Sequence, residues 1–87
     1  MKMEIYSVFD EASKAFGTPF FMQNNAMALR AFSDLVNDPQ SSINKHPSDY
    51  KLYKIGTFND ENANIKSSEI PELIVHASDT VNNQEKE

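Results

Sequence analysis

Residues 46–58 read HPSDYKLYKIGTF, and this stretch predicts the central strand of the fold together with its candidate binding surface. The segment HPSD favours a rigid turn, and the residues after it predict a strand over positions 50–58. Leu52 and Ile55 fall on opposite faces of that strand. Apolar residues on both faces are typical of a central strand, or of one whose second face meets a partner. Gly56 indicates a bulge.

The chain before this strand predicts one strand and one helix. Residues 2–9 alternate as a strand does, and Tyr6 and Val8 make one end of its second face apolar, so we expect another element to cover that end. Residues 25–37 predict an amphipathic helix that begins after an Asn cap at Asn24 or Asn25. Its apolar arc comprises Ala28, Leu29, Phe32, Leu35 and Val36.

The chain after the central strand predicts a hairpin and a last strand. Residues 59–64 favour a turn, Ile65 and Lys66 begin a short returning strand, and residues 73–77 are rich in β-branched side chains. The predicted order is β-α-β-β-β. The fold class is therefore α+β, with a three- to four-stranded, mainly antiparallel sheet and one helix on a face.

Length and composition limit the organisation of the protein. With 87 residues we expect one compact domain over residues 1–79, followed by a disordered polar tail over residues 80–87. A core this small favours stabilisation by a homodimer. There is no cysteine, no apolar run of membrane-spanning length and no visible signal peptide, so we expect a soluble protein that does not contact a membrane.

The charge balance is acidic overall but basic in one segment. Eight Lys and Arg against thirteen Asp and Glu give a net charge of −5, which opposes binding to polyanions unless the contact is local. Rings that stack on bases beside cations that meet phosphates are typical of surfaces for single-stranded nucleic acid. The basic segment interleaves both kinds of side chain: Lys45, Tyr50, Lys51, Tyr53 and Lys54.

We take Lys45, Lys51, Tyr53 and Lys54 as candidate nucleic-acid-binding residues, together with Arg30 from the polar side of the helix. A role of Arg30 in solubility is as plausible as a contact with phosphate. The lysines also fit an ordinary solvated strand face. Tyr50 and Tyr53 fit either a half-buried sheet position or a binding role.

Three phenylalanines precede the helix, at Phe16, Phe20 and Phe21. The favoured interpretation is that they belong to the core and hold the helix start against the sheet. The alternative is an exposed loop whose rings stack on bases.

The sequence contains no motif that indicates catalysis or metal binding. His46 and His76 are far apart and lack neighbouring ligands, there is no nucleophile motif, and Gly17 and Gly56 do not form a phosphate-binding loop. We therefore expect no cofactor, no metal and no enzymatic activity.

Several blocks resemble a known viral family. They are IYSVFD at residues 5–10, PFF at 19–21, A-x-R-A-F-S-D-L-V-N-D at 28–38, the stretch 46–60, and P-x-L-x-x-H-A-S-D at 71–79. In this order they are similar to the small nonstructural protein of gokushovirus-type microviruses, which are phages with single-stranded DNA genomes. The turn at residues 59–64 lacks the glycine that this family usually has there.

The resemblance implies a DNA-binding or replication-control protein that helps the switch to single-strand synthesis. It would act in the bacterial host cytoplasm and not as a virion component. Our first hypothesis is sequence-independent binding of single-stranded DNA by a homodimer. The alternative is an acidic interaction module that binds a host or phage replication protein without contacting DNA.

Overall fold

A computed structural model describes residues 1–81 of the chain. Two 3-10 turns, Pro47–Asp49 and Ala77–Thr80, accompany the main elements. The strands and helices, in chain order, are β1 (Lys2–Asp10), β2 (Ala15–Phe16), β3 (Phe20–Met22), α1 (Asn25–Val36), α2 (Ser42–Lys45), β4 (Tyr50–Asn59) and β5 (Asn64–His76).

The strands form one antiparallel sheet, which confirms the predicted α+β class. β1 and β4 are central, β5 pairs with the outer edge of β4, and both short strands pair with the other edge of β1. β2 and β3 lie where the sequence predicted only a connection. The two separate strands predicted after the turn are one long strand, β5, and the polar connection before β4 contains the single turn of helix α2.

Helix α1 confirms the predicted amphipathic helix and its cap. Asn24 has an extended backbone, and its side chain accepts a hydrogen bond from the Met27 amide. Ala28, Phe32 and Val36 are buried, as the apolar arc predicted. Leu29 and Leu35, the other residues of that arc, are exposed.

The core lies between α1 and one face of the sheet, which we call the helix face. Tyr6 of β1 and Leu52 of β4 are fully buried there, with Ile43 of α2 and Ala77 packed beside them. The Tyr6 hydroxyl donates a hydrogen bond to the Asn25 side chain at the start of α1. The expectation that another element covers the apolar end of the second face of β1 is thus confirmed.

Register shifts interrupt the sheet near Gly56, as the sequence predicted. One lies between Ile5 and Tyr6 on β1, and another separates Lys54 from Gly56 in the pairing of β4 with β5. A Cβ atom on Gly56 would lie 2.5 Å from the Lys66 carbonyl oxygen. Only glycine therefore allows β5 to approach β4 this closely.

The hairpin turn between β4 and β5 uses alanine where glycine is usual. Ala63 has a φ of 62°, in the left-handed region that costs an L-residue energy. The Asn59 side chain accepts a hydrogen bond from the Glu61 amide, and the Asn62 side chain accepts one from the Asn64 amide. These side-chain contacts support the turn in the absence of glycine.

The chain returns to α1 after β5. The Asn37 side-chain amide at the end of α1 donates a hydrogen bond of 3.0 Å to the Thr80 carbonyl oxygen. Thr80 is the first residue of the predicted tail, and residues 82–87 of that tail lie outside the described residues. Within residues 1–81, no helix is both long and apolar enough to cross a bilayer.

Candidate nucleic-acid interface

The strand register assigns the sequence-predicted residues to two different faces. Val8 pairs with Leu52 and Tyr6 pairs with Lys54, so Lys54 lies on the helix face. Residues at the alternate positions point the other way. We call that second side, opposite the helices, the open face.

Three aromatic rings meet on the open face, and we call them the ring cluster. The Phe9 ring centroid lies 4.8 Å from that of Phe16 and 6.3 Å from that of Tyr53. Phe16 and Tyr53 meet edge to face at 5.5 Å. Such contacts hold the three rings in defined positions.

The ring cluster borders a shallow cavity that opens to solvent. With Ile70 and Pro71 of β5, the three rings line a space of about 400 Å³. The Phe16 side chain is 47% exposed and Ile70 is 78% exposed. Phe9 and Tyr53 are half-buried, and the exposed Phe16 ring that packs on them provides a surface on which a flat, unpaired base can stack.

A second aromatic pair lies further along the open face. Phe21 of β3 contacts Phe58 of β4, with ring centroids 5.6 Å apart. Phe21 is 44% exposed, while Phe20 stacks on the buried Tyr6 ring at 5.8 Å. The core interpretation of the three phenylalanines therefore holds for Phe20, and Phe16 and Phe21 face solvent.

Lys51 lies at one end of the ring cluster, where it forms an ion pair. It pairs in register with Phe9 on the open face, and its Nζ lies 2.7 Å from Glu11 Oε2. Glu11 Oε1 also contacts the Lys14 Nζ at 3.1 Å. Hydrogen bonds donated by the two lysines, first by Lys51, lower the pKa of Glu11, and the bond that Lys51 donates to Glu11 raises the pKa of Lys51.

Lys54 occupies the helix face, away from the ring cluster. Its Nζ lies 2.9 Å from Glu4 Oε1, and both side chains are about one quarter exposed. Glu72 pairs in register with Lys54 on β5. The ammonium group of Lys54 thus lies among carboxylates on the opposite side of the sheet from Tyr53.

Arg30 and Lys45 are exposed in the helical layer. Arg30 lies on α1 and Lys45 ends α2, and neither forms a salt bridge with any other described residue. Tyr50 is half-buried and packs against the core. Of the predicted binding residues, the fold thus brings together Lys51 and Tyr53 and leaves the other three on the side that carries the helices.

Two members of the ring cluster were not identified as a group by sequence reasoning. Phe9 and Phe16 come together because β2 folds back along β1, with Phe9 directly paired to Phe16. Strand β2 has two residues, too few to show a period. One feature of the sequence could have indicated the cluster. Phe9 lies on the face of β1 opposite Tyr6 and Val8, and the helices leave that face uncovered.

The comparison with known proteins gives one finding on the origin of the chain. Residues 3–80 match the profile of a family described as Phage ORF5 protein. No significant match was found among curated proteins or among solved structures. The matched region extends from the second residue of β1 to the last turn after β5, so it covers nearly all of the described fold. The chain belongs to the Phage ORF5 protein family.

Proposed function

We propose that this phage protein binds single-stranded DNA, without sequence preference, through the open face. The observation that supports the proposal most strongly is the ring cluster beside Lys51, in which Phe16 is exposed and Phe9 and Tyr53 are half-buried. A sheet that carries helices on one face and exposed rings on the other is a common platform for unpaired bases. Each stacked base contributes about 1–3 kcal/mol in such sites.

The charge distribution restricts the form of DNA that would bind. The net charge of −5 and the ion pairs of Lys51 and Lys54 leave little positive charge for a long phosphate backbone. Duplex DNA offers mainly phosphates and stacked base edges, so it gains little from exposed rings. A single strand offers its base faces, and we therefore expect it to bind more tightly than a duplex.

A titration of labelled oligonucleotides tests the proposal. Fluorescence anisotropy would compare a single-stranded oligothymidylate with a duplex of equal length, at low and physiological salt. We expect micromolar or weaker binding of the single strand, a clear preference over the duplex, and weaker binding at higher salt. Equal affinity for both forms, or no binding of the single strand at low salt, would contradict the proposal.

The role in replication follows from the resemblance to the gokushovirus protein. Under this proposal the protein acts in the bacterial host cytoplasm during the switch to single-strand synthesis and is not part of the virion. The proposal includes no catalytic step and no cofactor. A homodimer would double the number of ring clusters and raise the avidity for DNA. Sedimentation of the full chain at several concentrations tests for the dimer.

A second candidate function is the capture of a replication protein. It is favoured by the apolar side chains that β5 leaves exposed, such as Ile65, Ile70 and Leu73, since exposed apolar patches often mark protein interfaces. The acidic net charge also suits a basic partner. A pull-down from infected cells separates the two functions, because a partner that remains after nuclease treatment supports the second one.

A further inference from the structure

The turn between β1 and β2 places one carboxylate between two ammonium groups. Glu11 Oε2 lies 2.7 Å from the Lys51 Nζ, and Glu11 Oε1 lies 3.1 Å from the Lys14 Nζ. The Glu11 amide donates to the Asp49 carbonyl oxygen at 2.7 Å. This bond joins the turn to the residue that precedes β4, so the position of Glu11 beside Lys51 is fixed by the backbone.

The same turn determines the position of Lys14. The Asp10 side chain accepts hydrogen bonds from the Ala12 amide and the Ser13 hydroxyl, and the Asp10 carbonyl accepts one from the Lys14 amide. Lys14 has a φ of 60°, in the left-handed region. The turn thus adopts a less common backbone conformation at a residue whose ammonium group lies next to Glu11.

We propose that Lys14 and Lys51 form a phosphate-binding subsite at the end of the ring cluster, which the Glu11 carboxylate occupies in the free protein. The inference rests on the proposed function and adds to it the location of the phosphate. A phosphodiester carries one negative charge and two free oxygens, as does the carboxylate. It can therefore accept hydrogen bonds from both ammonium groups when Glu11 moves away.

The surroundings make this exchange accessible. The Lys14 side chain is 75% exposed, that of Glu11 36% and that of Lys51 21%, so a phosphate can reach Lys14 directly and Lys51 once Glu11 moves away. The exposed Lys14–Glu11 pair contributes little to stability, and the partly buried Lys51 would exchange its carboxylate for a phosphate that accepts the same kind of hydrogen bond. Lys51 pairs in register with Phe9, which places the subsite next to a ring of the cluster. One DNA strand can then place a base on the rings and the adjoining phosphate at the two lysines.

We expect Glu11 to compete with a DNA phosphate for the two lysines. Glu11→Gln removes the competing charge and keeps the backbone bond to Asp49, so we expect the affinity for single-stranded DNA to rise about threefold. Glu4→Gln is the matched control, because it makes the same change in net charge and releases Lys54 on the helix face. We expect it to change affinity less than twofold.

The experiment uses the full chain, and thermal unfolding confirms that each variant is folded. If the wild type binds and Glu11→Gln binds no better than Glu4→Gln, the subsite is wrong while the proposed function stands. If neither the wild type nor Glu11→Gln binds the oligonucleotide, the proposed function is wrong. A titration with pyrophosphate, followed by NMR, then tests whether the subsite binds phosphate. Shifts at Lys14 and Lys51 in Glu11→Gln but not in Glu4→Gln support the subsite, and their absence overturns it.

Discussion

Phe16 meets Tyr53 edge to face with ring centroids 5.5 Å apart, although 37 positions separate them in the sequence. The contact crosses β1, because Phe16 belongs to β2 and Tyr53 to β4 on the other side of that strand. Phe9 of β1 lies between them and contacts both rings. The cluster therefore depends on the pairing of three strands, and it is the part of the open face best suited to stacking.

Replacing Phe16 by leucine tests the stacking surface. Phe16→Leu keeps an apolar side chain and removes the ring, so we expect affinity for single-stranded DNA to fall about tenfold, within the ~1–3 kcal/mol range of one stacked base. Phe21→Leu is the control, since Phe21 has similar exposure at 44% but contacts Phe58, outside the cluster. Anisotropy titrations measure both. Equal losses in the two variants would refute the assignment to the ring cluster.

Replacing Lys51 by alanine tests the cationic end of the interface. We expect Lys51→Ala to weaken binding and to reduce the salt slope by about 0.7, because one phosphate contact is lost. Lys54→Ala is the matched control, because each substitution removes one lysine and its ion pair with a glutamate. The structure places Lys54 on the helix face, so this variant should bind as the wild type does. A larger loss of affinity for Lys54→Ala than for Lys51→Ala would indicate that DNA binds the helix face instead.

Alkaline pH should destabilise the fold through Tyr6. Burial, aided by the negative charge of Glu4, raises the pKa of Tyr6 to about 12 from its ordinary value of 10. The unfolded chain therefore ionises this phenol at lower pH than the folded chain. Stability from this group is complete below pH 10 and falls between pH 10 and 12, by on the order of 2 kcal/mol.

Urea unfolding at pH 9 and at pH 11.5 measures this loss. Tyr6→Phe serves as the reference, because it keeps every other ionisable side chain of the protein. It lacks the ionisable phenol and the hydrogen bond to Asn25. The difference in stability between the two proteins should shrink as the pH rises. Parallel stability curves would show that the phenol of Tyr6 does not contribute.

Replacing Ala63 by glycine should stabilise the hairpin. The φ of 62° is unfavourable for alanine and acceptable for glycine, so we expect Ala63→Gly to raise the free energy of unfolding by about 0.5–1 kcal/mol. Ala12→Gly is the control, because Ala12 lies in an exposed turn with no positive φ. Thermal unfolding compares the variants. A lower melting temperature for Ala63→Gly than for the wild type would contradict the expectation.

The main elements were predictable because their signals are local. Apolar residues at Tyr6 and Val8 indicated which side of β1 the helix covers, and Asn24 marked the start of α1. Gly56 indicated the bulge. In each case the decisive residues lie within one turn or one strand, where periodicity, capping and glycine geometry act directly.

The parts that were not predicted depend on contacts between distant residues. The partners of the two lysines are Glu11, 40 positions before Lys51, and Glu4, 50 positions before Lys54. The strand register brings them together, and no local pattern reveals it. The same holds for β2 and β3, which are too short to show a period and are held by pairing with β1. The exposure of Leu29 and Leu35 was missed because α1 packs against one sheet face, which covers only the centre of its apolar arc.

An NMR titration of the full chain with a short oligothymidylate would show which face of the sheet the DNA contacts. Bases that stack on the open face should shift the NMR signals of the Phe16 and Tyr53 ring protons upfield. The signals of Phe32, which belongs to α1 and is buried in the core, should stay unchanged. We expect the amide shifts to be centred on Lys51. Shifts confined to the helical layer around Arg30 and Lys45, with the rings of the cluster unaffected at saturation, would contradict it.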